Sequence, residues 1–126
     1  MTDNTTKHMK TETRIFSVAE YIRPSNSEPI RSVVLETNDS AVVVWHAHPG
    51  QEITAHVHPH GQDTWTVISG EAEYYQGDGI VTRLKAGDIA IAKPGQVHGA
   101  INSGSVPFIF VSVVAPGNAG FALTEK

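Results

Sequence analysis

The chain has 126 residues, a length that fits one domain, and at 40% hydrophobic and 17% charged it has enough apolar material for a core and too little charge for a disordered polyampholyte. A net charge of -4 argues against a partner held through phosphate contacts, so no nucleic acid is expected. With no cysteine, disulfides, iron–sulfur clusters, thiolate zinc sites and cysteine nucleophiles are excluded.

In chain order, residues 1–12 are polar and aperiodic and read as a mobile arm, with His8 a bystander in it. This start lacks an apolar core, so no secretory signal is expected. No apolar run reaches the length of a membrane span, and a cytoplasmic location follows by default. Residues 13–126 read as one domain of short strands broken by turn residues. Ser17 to Ile22 is the one helical candidate, stopped by Pro24 and equally readable as a strand or irregular turn. Strands are predicted over Arg31–Glu36, Ala41–His48, Ile53–His58 and Asp63–Ile68, the last ended by Ser69-Gly70. Glu71–Gln76 pairs back across that turn, and Gly77-Asp78-Gly79 leads into Ile80–Leu84. Asp88–Ala92, His98–Asn102 and Pro107–Val114 follow, separated by glycine and proline turns. Regular short strands of this kind indicate an all-β sandwich or barrel.

The histidines are unevenly spread. Five of the seven lie between His46 and His60, and His98 follows a Lys-Pro-Gly turn. Strand side chains alternate, so His56 and His58 share a face. Asp63, Trp65 and Val67 likewise share one face of the next strand. Two histidines from one strand, a carboxylate or amide shortly after and a distant third histidine suit a transition metal. The competing reading is solvent-exposed loop histidines.

Two spaced motifs make the chain resemble the cupin superfamily. In the first, Gly50 is followed by five residues, then His56-Val57-His58, then four residues to Asp63 and six to Gly70. The family usually has glutamate where Asp63 stands. In the second, Gly87 is followed by five residues, Lys93-Pro94-Gly95, then His98 and Asn102, with Lys93 in a slot the family fills with proline. The resemblance spans roughly residues 31–114. It implies a double-stranded β-helix, a jelly-roll barrel of about ten short strands with a site in its mouth. It also implies one divalent transition metal per chain (Fe, Mn, Ni, Cu or Zn) held by His56, His58, Asp63 and His98.

Aspartate is one methylene shorter than glutamate, which leaves three outcomes open. Asp63 ligates after a small backbone shift, or holds a bound water or a ligand imidazole in place. Alternatively, a bulge turns Gln62 inward to offer its carbonyl oxygen. Strand parity favours Asp63 for the inward position. His60, between Pro59 and Gly61, either caps the mouth as a further ligand or proton donor, or is a solvated loop residue. His46 and His48 line the cavity only if their face of the strand points inward; if it points out, Val43 and Trp45 point in. Trp65, Phe108 and Phe110 are candidates for core or cavity wall, and Lys93 for a surface turn.

An open position on such a metal permits dioxygenase-like chemistry, or isomerase or decarboxylase-like chemistry by Lewis-acid activation. The expected partner is a small organic molecule. The alternative is a small-molecule sensor or binding cupin without catalysis. Small cupins commonly pair, so a homodimer is expected, with Thr13 to Val34 available to add a strand to a neighbour.

Overall fold

The structure is a computed structural model, and residues 12–126 are described. The predicted arm, with His8, lies almost wholly outside the described residues. A 3-10 helix spans Val18–Tyr21, so the helical candidate is one tight turn. The strands are β1 (Ser32–Glu36), β2 (Ala41–Ala47), β3 (Glu52–Val57), β4 (Gln62–Ser69) and β5 (Glu71–Tyr75). They continue with β6 (Val81–Lys85), β7 (Ile89–Ala92), β8 (His98–Ile101), β9 (Phe108–Ala115) and β10 (Ala122–Leu123). Nine of these match predicted strands to within one or two residues, whereas β10 carries no local signal. Two residues are too few to display a period.

The strands form two five-stranded antiparallel sheets, ordered β1-β2-β9-β4-β7 and β10-β3-β8-β5-β6. Both sheets interleave strands distant in the chain, which makes the fold a double-stranded β-helix. The core lies between them: Trp65, Val67, Phe108 and Phe110 from one sheet meet Ile53, Tyr74, Leu84 and Ala100 from the other. Alternation explains the selection. In β4 Asp63, Trp65 and Val67 are buried while Gln62, Thr66 and Ile68 are exposed, and in β9 Phe108, Phe110 and Ser112 take the inward positions. Trp65 stacks on Phe110 at 4.0 Å between ring centroids and meets Tyr74 edge-on at 5.2 Å.

One irregularity bears directly on the site. Strand β3 pairs Ile53 with Ala100 but His56 with His98, so it carries one extra residue there. The resulting bulge buries Ala55 and His56 consecutively, which re-aims the histidine. Gly99 lies opposite: a Cβ there would meet the Ile53 carbonyl oxygen at 2.7 Å and the Ala55 Cα at 2.9 Å. Backbone atoms cannot swing aside as a side chain does. Gly99→Ala is therefore expected to cost about 1–3 kcal/mol, the usual range for forced overpacking. It should weaken metal binding as well, because the bulge carries His56 and β8 carries His98. Thermal unfolding and metal titration of the variant check this, and wild-type behaviour in both would refute the role given to the bulge.

Candidate metal centre

His56 comes from the end of β3, His58 from just beyond it, Asp63 from β4 and His98 from the start of β8. One ligand atom from each lies within 4.8 Å of all the others, so residues up to 42 positions apart in sequence converge on one point. His56, Asp63 and His98 are buried and His58 is partly buried.

Backbone carbonyls orient the three imidazoles. His56 Nδ1 donates to the Thr54 oxygen at 2.7 Å, His58 Nδ1 to the Gly120 oxygen at 2.7 Å and His98 Nδ1 to the Gln96 oxygen at 3.0 Å. A carbonyl oxygen only accepts, so each Nδ1 carries a proton and each neutral ring presents an Nε2 lone pair. Asp63 completes the set. Its Oδ1 accepts from Ser112 Oγ at 2.6 Å, and its Oδ2 stands 3.0 Å from His98 Nε2 and 3.3 Å from His58 Nε2. Lone pairs and carboxylate oxygens facing one another repel unless a proton or a cation lies between them. This donor set of three nitrogens and one oxygen fits a first-row divalent ion.

The charges follow the same logic. Burial raises the proton affinity of Asp63, but hydrogen bonds from His58 and His98, whose Nε2 atoms donate when the rings are protonated, and from Ser112 outweigh it and hold the carboxyl well below the usual range. Burial, with His98 and His58 close by, pushes His56 down to about 4. Burial also opposes protonation of His58, but the Asp63 hydrogen bond prevails and its value is raised.

These shifts set the acid response of the metal-free protein. His56 is depressed on folding, so it costs stability as pH falls from 6.5 towards about 4. His58 is raised, so its smaller contribution is present below 6.5 and fades as pH rises through its folded value. Asp63 is depressed, and its contribution, present above 3.8, is lost below that. The thermal midpoint of chelator-treated protein is expected to drop between pH 6.5 and 4, and His56→Gln to flatten that drop. Identical pH profiles for the two proteins would contradict this.

A cavity of about 670 Å³ opens beside the cluster. Val43, Trp45, Ile53, Trp65, Val114 and Phe121 supply an apolar wall, and Arg31, Glu28 and Glu52 add charge. The Phe121 ring lies 5.1 Å from the His56 ring, and β10 pairs with β3 at His56 and Val57. The C-terminal segment thus both roofs the site and, through the Gly120 carbonyl, orients His58.

Several expectations need correction. Gln62 is exposed, because β4 keeps its alternation from Gln62 to Val67 and shifts register only at Val67–Ser69, while the bulge at the site falls on β3. His60 is exposed in its loop and is neither in the cluster nor on the cavity wall. His46 and His48 do not line the cavity: Val43 and Trp45 take the inward face of β2. Val42 and Val44, on the other face, lie under Phe16, Val18 and Tyr21. Phe108 and Phe110 fill the core rather than the cavity wall, whereas Trp65 serves both. Tyr74 and Tyr75 are neighbours on β5, where alternation sends one of them outward, yet both are buried, Tyr75 through a hydrogen bond to Glu52 and the Lys126 ammonium over its ring. Lys93 is exposed in its turn, as expected.

Ser112, Phe121, Arg31 and the Gly120 carbonyl were not recognisable as site residues in the sequence. Ser112 alone left a trace, a polar residue at an inward position of an otherwise apolar strand.

Comparison with known proteins agrees with this architecture. The cupin domain family model matches residues 43–114. The chain is 88% identical to an uncharacterized conserved protein with a double-stranded β-helix domain from Klebsiella pneumoniae subsp. pneumoniae MGH 78578. Its crystal structure aligns over 91% of this chain and 100% of that one, with a TM-score of 0.89. An RmlC-like cupin protein from Desulfovibrio desulfuricans aligns over 86% and 98% of the two chains at 23% identity, with a TM-score of 0.68. A predicted oxalate decarboxylase from Thermotoga maritima aligns over 75% and 96% at 20% identity, with a TM-score of 0.65. At such identities the last two share the fold alone. No curated protein sequence matches the chain. Among the described residues no helix is long and apolar enough to cross a membrane. The family match over more than half the chain, the highly identical relative and the interleaved sheets together make this protein a member of the cupin domain family.

Proposed function

We propose that this protein is a metal-dependent cupin acting on a small organic molecule, with His56, His58, His98 and Asp63 as the metal ligands. One observation carries the reading: three histidines, each with Nδ1 tied to a backbone carbonyl, gather around one buried carboxylate with their ligand atoms within 4.8 Å of one another. A divalent ion held there supplies Lewis-acid polarisation of a carbonyl or, if redox-active, access to dioxygen chemistry. The protein's own contribution is to orient the ligands, hold Asp63 through Ser112, and present an apolar wall that keeps water from the substrate.

The first test is elemental analysis of protein purified without added metal or chelator. Near one equivalent of a first-row ion per chain supports the site, and none bound even after titration overturns it. The second is dioxygen uptake by iron-loaded protein with diketone, thiol and catechol-like compounds. Uptake assigns a dioxygenase. Silence across the panel moves the reading to Lewis-acid chemistry or to a binding protein without catalysis.

We also propose a homodimer. Strand β1 ends its sheet and exposes Val33 and Leu35, and apolar end strands require covering. Light scattering is expected to return twice the chain mass of 13.6 kDa, and a monomeric mass would contradict the pairing.

A further inference from the structure

The cavity reaches beyond the metal cluster to a charged rim that the proposed chemistry does not use. Arg31, just before β1, lines the cavity and is exposed, so it stands at the open end. Its partner among the described residues is Glu36, at 3.3 Å, with the two side chains 50% and 49% exposed. A solvent-exposed pair of this kind is held weakly, and one contact leaves most of the five guanidinium donors available. Two carboxylates outside the metal cluster share the cavity lining. Glu52 is engaged by the Tyr75 hydroxyl and by Lys126 Nζ at 3.1 Å. Glu28, three positions before Arg31 in the chain, is exposed and also lines the cavity. Outside the metal cluster, Thr54 and Ser112, the rest of the wall, including Val43, Trp45, Ile53, Val114 and Leu123, is apolar. The lining thus combines the metal cluster and a guanidinium with a largely apolar wall, and about 670 Å³ suits a small metabolite-sized ligand.

Resting on the metal reading above, we propose that the ligand is a small organic monoanion. It would chelate the metal at one end, lay an apolar body against Trp45 and Val43, and set a carboxylate or similar anion on Arg31. A guanidinium is suited to this, since its planar fork meets a carboxylate through two parallel hydrogen bonds. Glu28 sets the limit to one charge, because a second anionic group at the rim would meet a carboxylate. The exposed setting of Arg31 predicts a modest preference, roughly two- to fivefold.

The test uses zinc-loaded protein and two matched series of hydroxamates, whose head group chelates metal. One series is the monohydroxamates of succinic, glutaric, adipic, pimelic and suberic acid, and the other is the alkyl hydroxamates of equal length. The chain's two tryptophans, Trp45 and Trp65, both line the cavity, so their fluorescence reports occupancy directly. At one or more lengths the carboxylate compound is expected to bind roughly two- to fivefold tighter. Arg31→Gln should abolish that preference and leave the alkyl compounds unchanged, Arg31→Lys should keep most of it, and Glu28→Gln should enlarge it. Equal binding of both series at every length, or a preference that survives Arg31→Gln, overturns the monoanion proposal while the metal reading stands. No zinc held and no hydroxamate bound overturns the metal reading and this proposal with it.

Discussion

Replacing His58 by alanine is expected to lower metal affinity more than a hundredfold and leave the fold intact. Loss of a group that merely supports a ligand costs about 10- to 100-fold, so loss of a ligand itself must exceed that range. His58 is the cleanest choice among the three histidines. It lies beyond the end of β3 with its side chain 13% exposed, whereas His98 is 1% exposed and forms part of the packed interior. Ser112→Ala provides the calibration. Its hydroxyl binds Asp63 Oδ1 and no other ligand of the set, so its removal should cost about 10- to 100-fold, less than His58→Ala. Competition against a chromophoric chelator measures both losses. Equal affinities for wild type and His58→Ala would remove His58 from the ligand set. A Ser112→Ala loss as large as that of His58→Ala would mean that Asp63 collapses without its hydroxyl partner.

Trp65→Ala should be the most destabilising single change in the core, at about 3–5 kcal/mol. The ring is 1% exposed, stacked on Phe110 and edge-on to Tyr74, and therefore joins the two sheets. Alanine leaves a void that neither neighbour can fill, since both are held by their own strands. Trp65→Phe should cost much less. It keeps an aromatic face against Phe110, and it removes an indole Nε1–H that is buried with no hydrogen-bond partner. Urea unfolding of both variants, with the chelator-treated wild type as reference, separates packing from metal linkage. A loss below about 1 kcal/mol for Trp65→Ala would show that the interior relaxes freely around this position, contrary to the close packing of protein cores.

Much of the barrel was legible in the chain because strands announce themselves locally. Alternation in Asp63–Val67 and glycine or proline at the turns depend on neighbours a few residues away, and strands β1 to β9 accordingly fell where predicted. The same local logic marked His56, His58, Asp63 and His98, because the two motifs carry them at family spacing. It misjudged what depends on the far side of the molecule. Which face of β2 points inward is set by pairing with β9 and by the segment at Phe16 to Tyr21, so His46 and His48 could not be assigned from their own strand. A bulge was weighed at Gln62 on β4, but β4 shifts register only at Val67–Ser69, and the bulge at the site sits on β3, where the strand pairing and the close approach of Gly99 reveal it.

By itself, then, the sequence determined an all-β cupin chain with a histidine-rich site, since period, turn chemistry and motif spacing are properties of short stretches. Only the tertiary structure decided the surroundings of that site. Ser112 reaches Asp63 from 49 positions away, and Gly120 reaches His58 from 62. Arg31 and Phe121 enter the cavity lining from opposite ends of the described chain. A barrel closes by pairing strands distant in sequence, and contacts made by closure leave no mark on the local pattern of either partner.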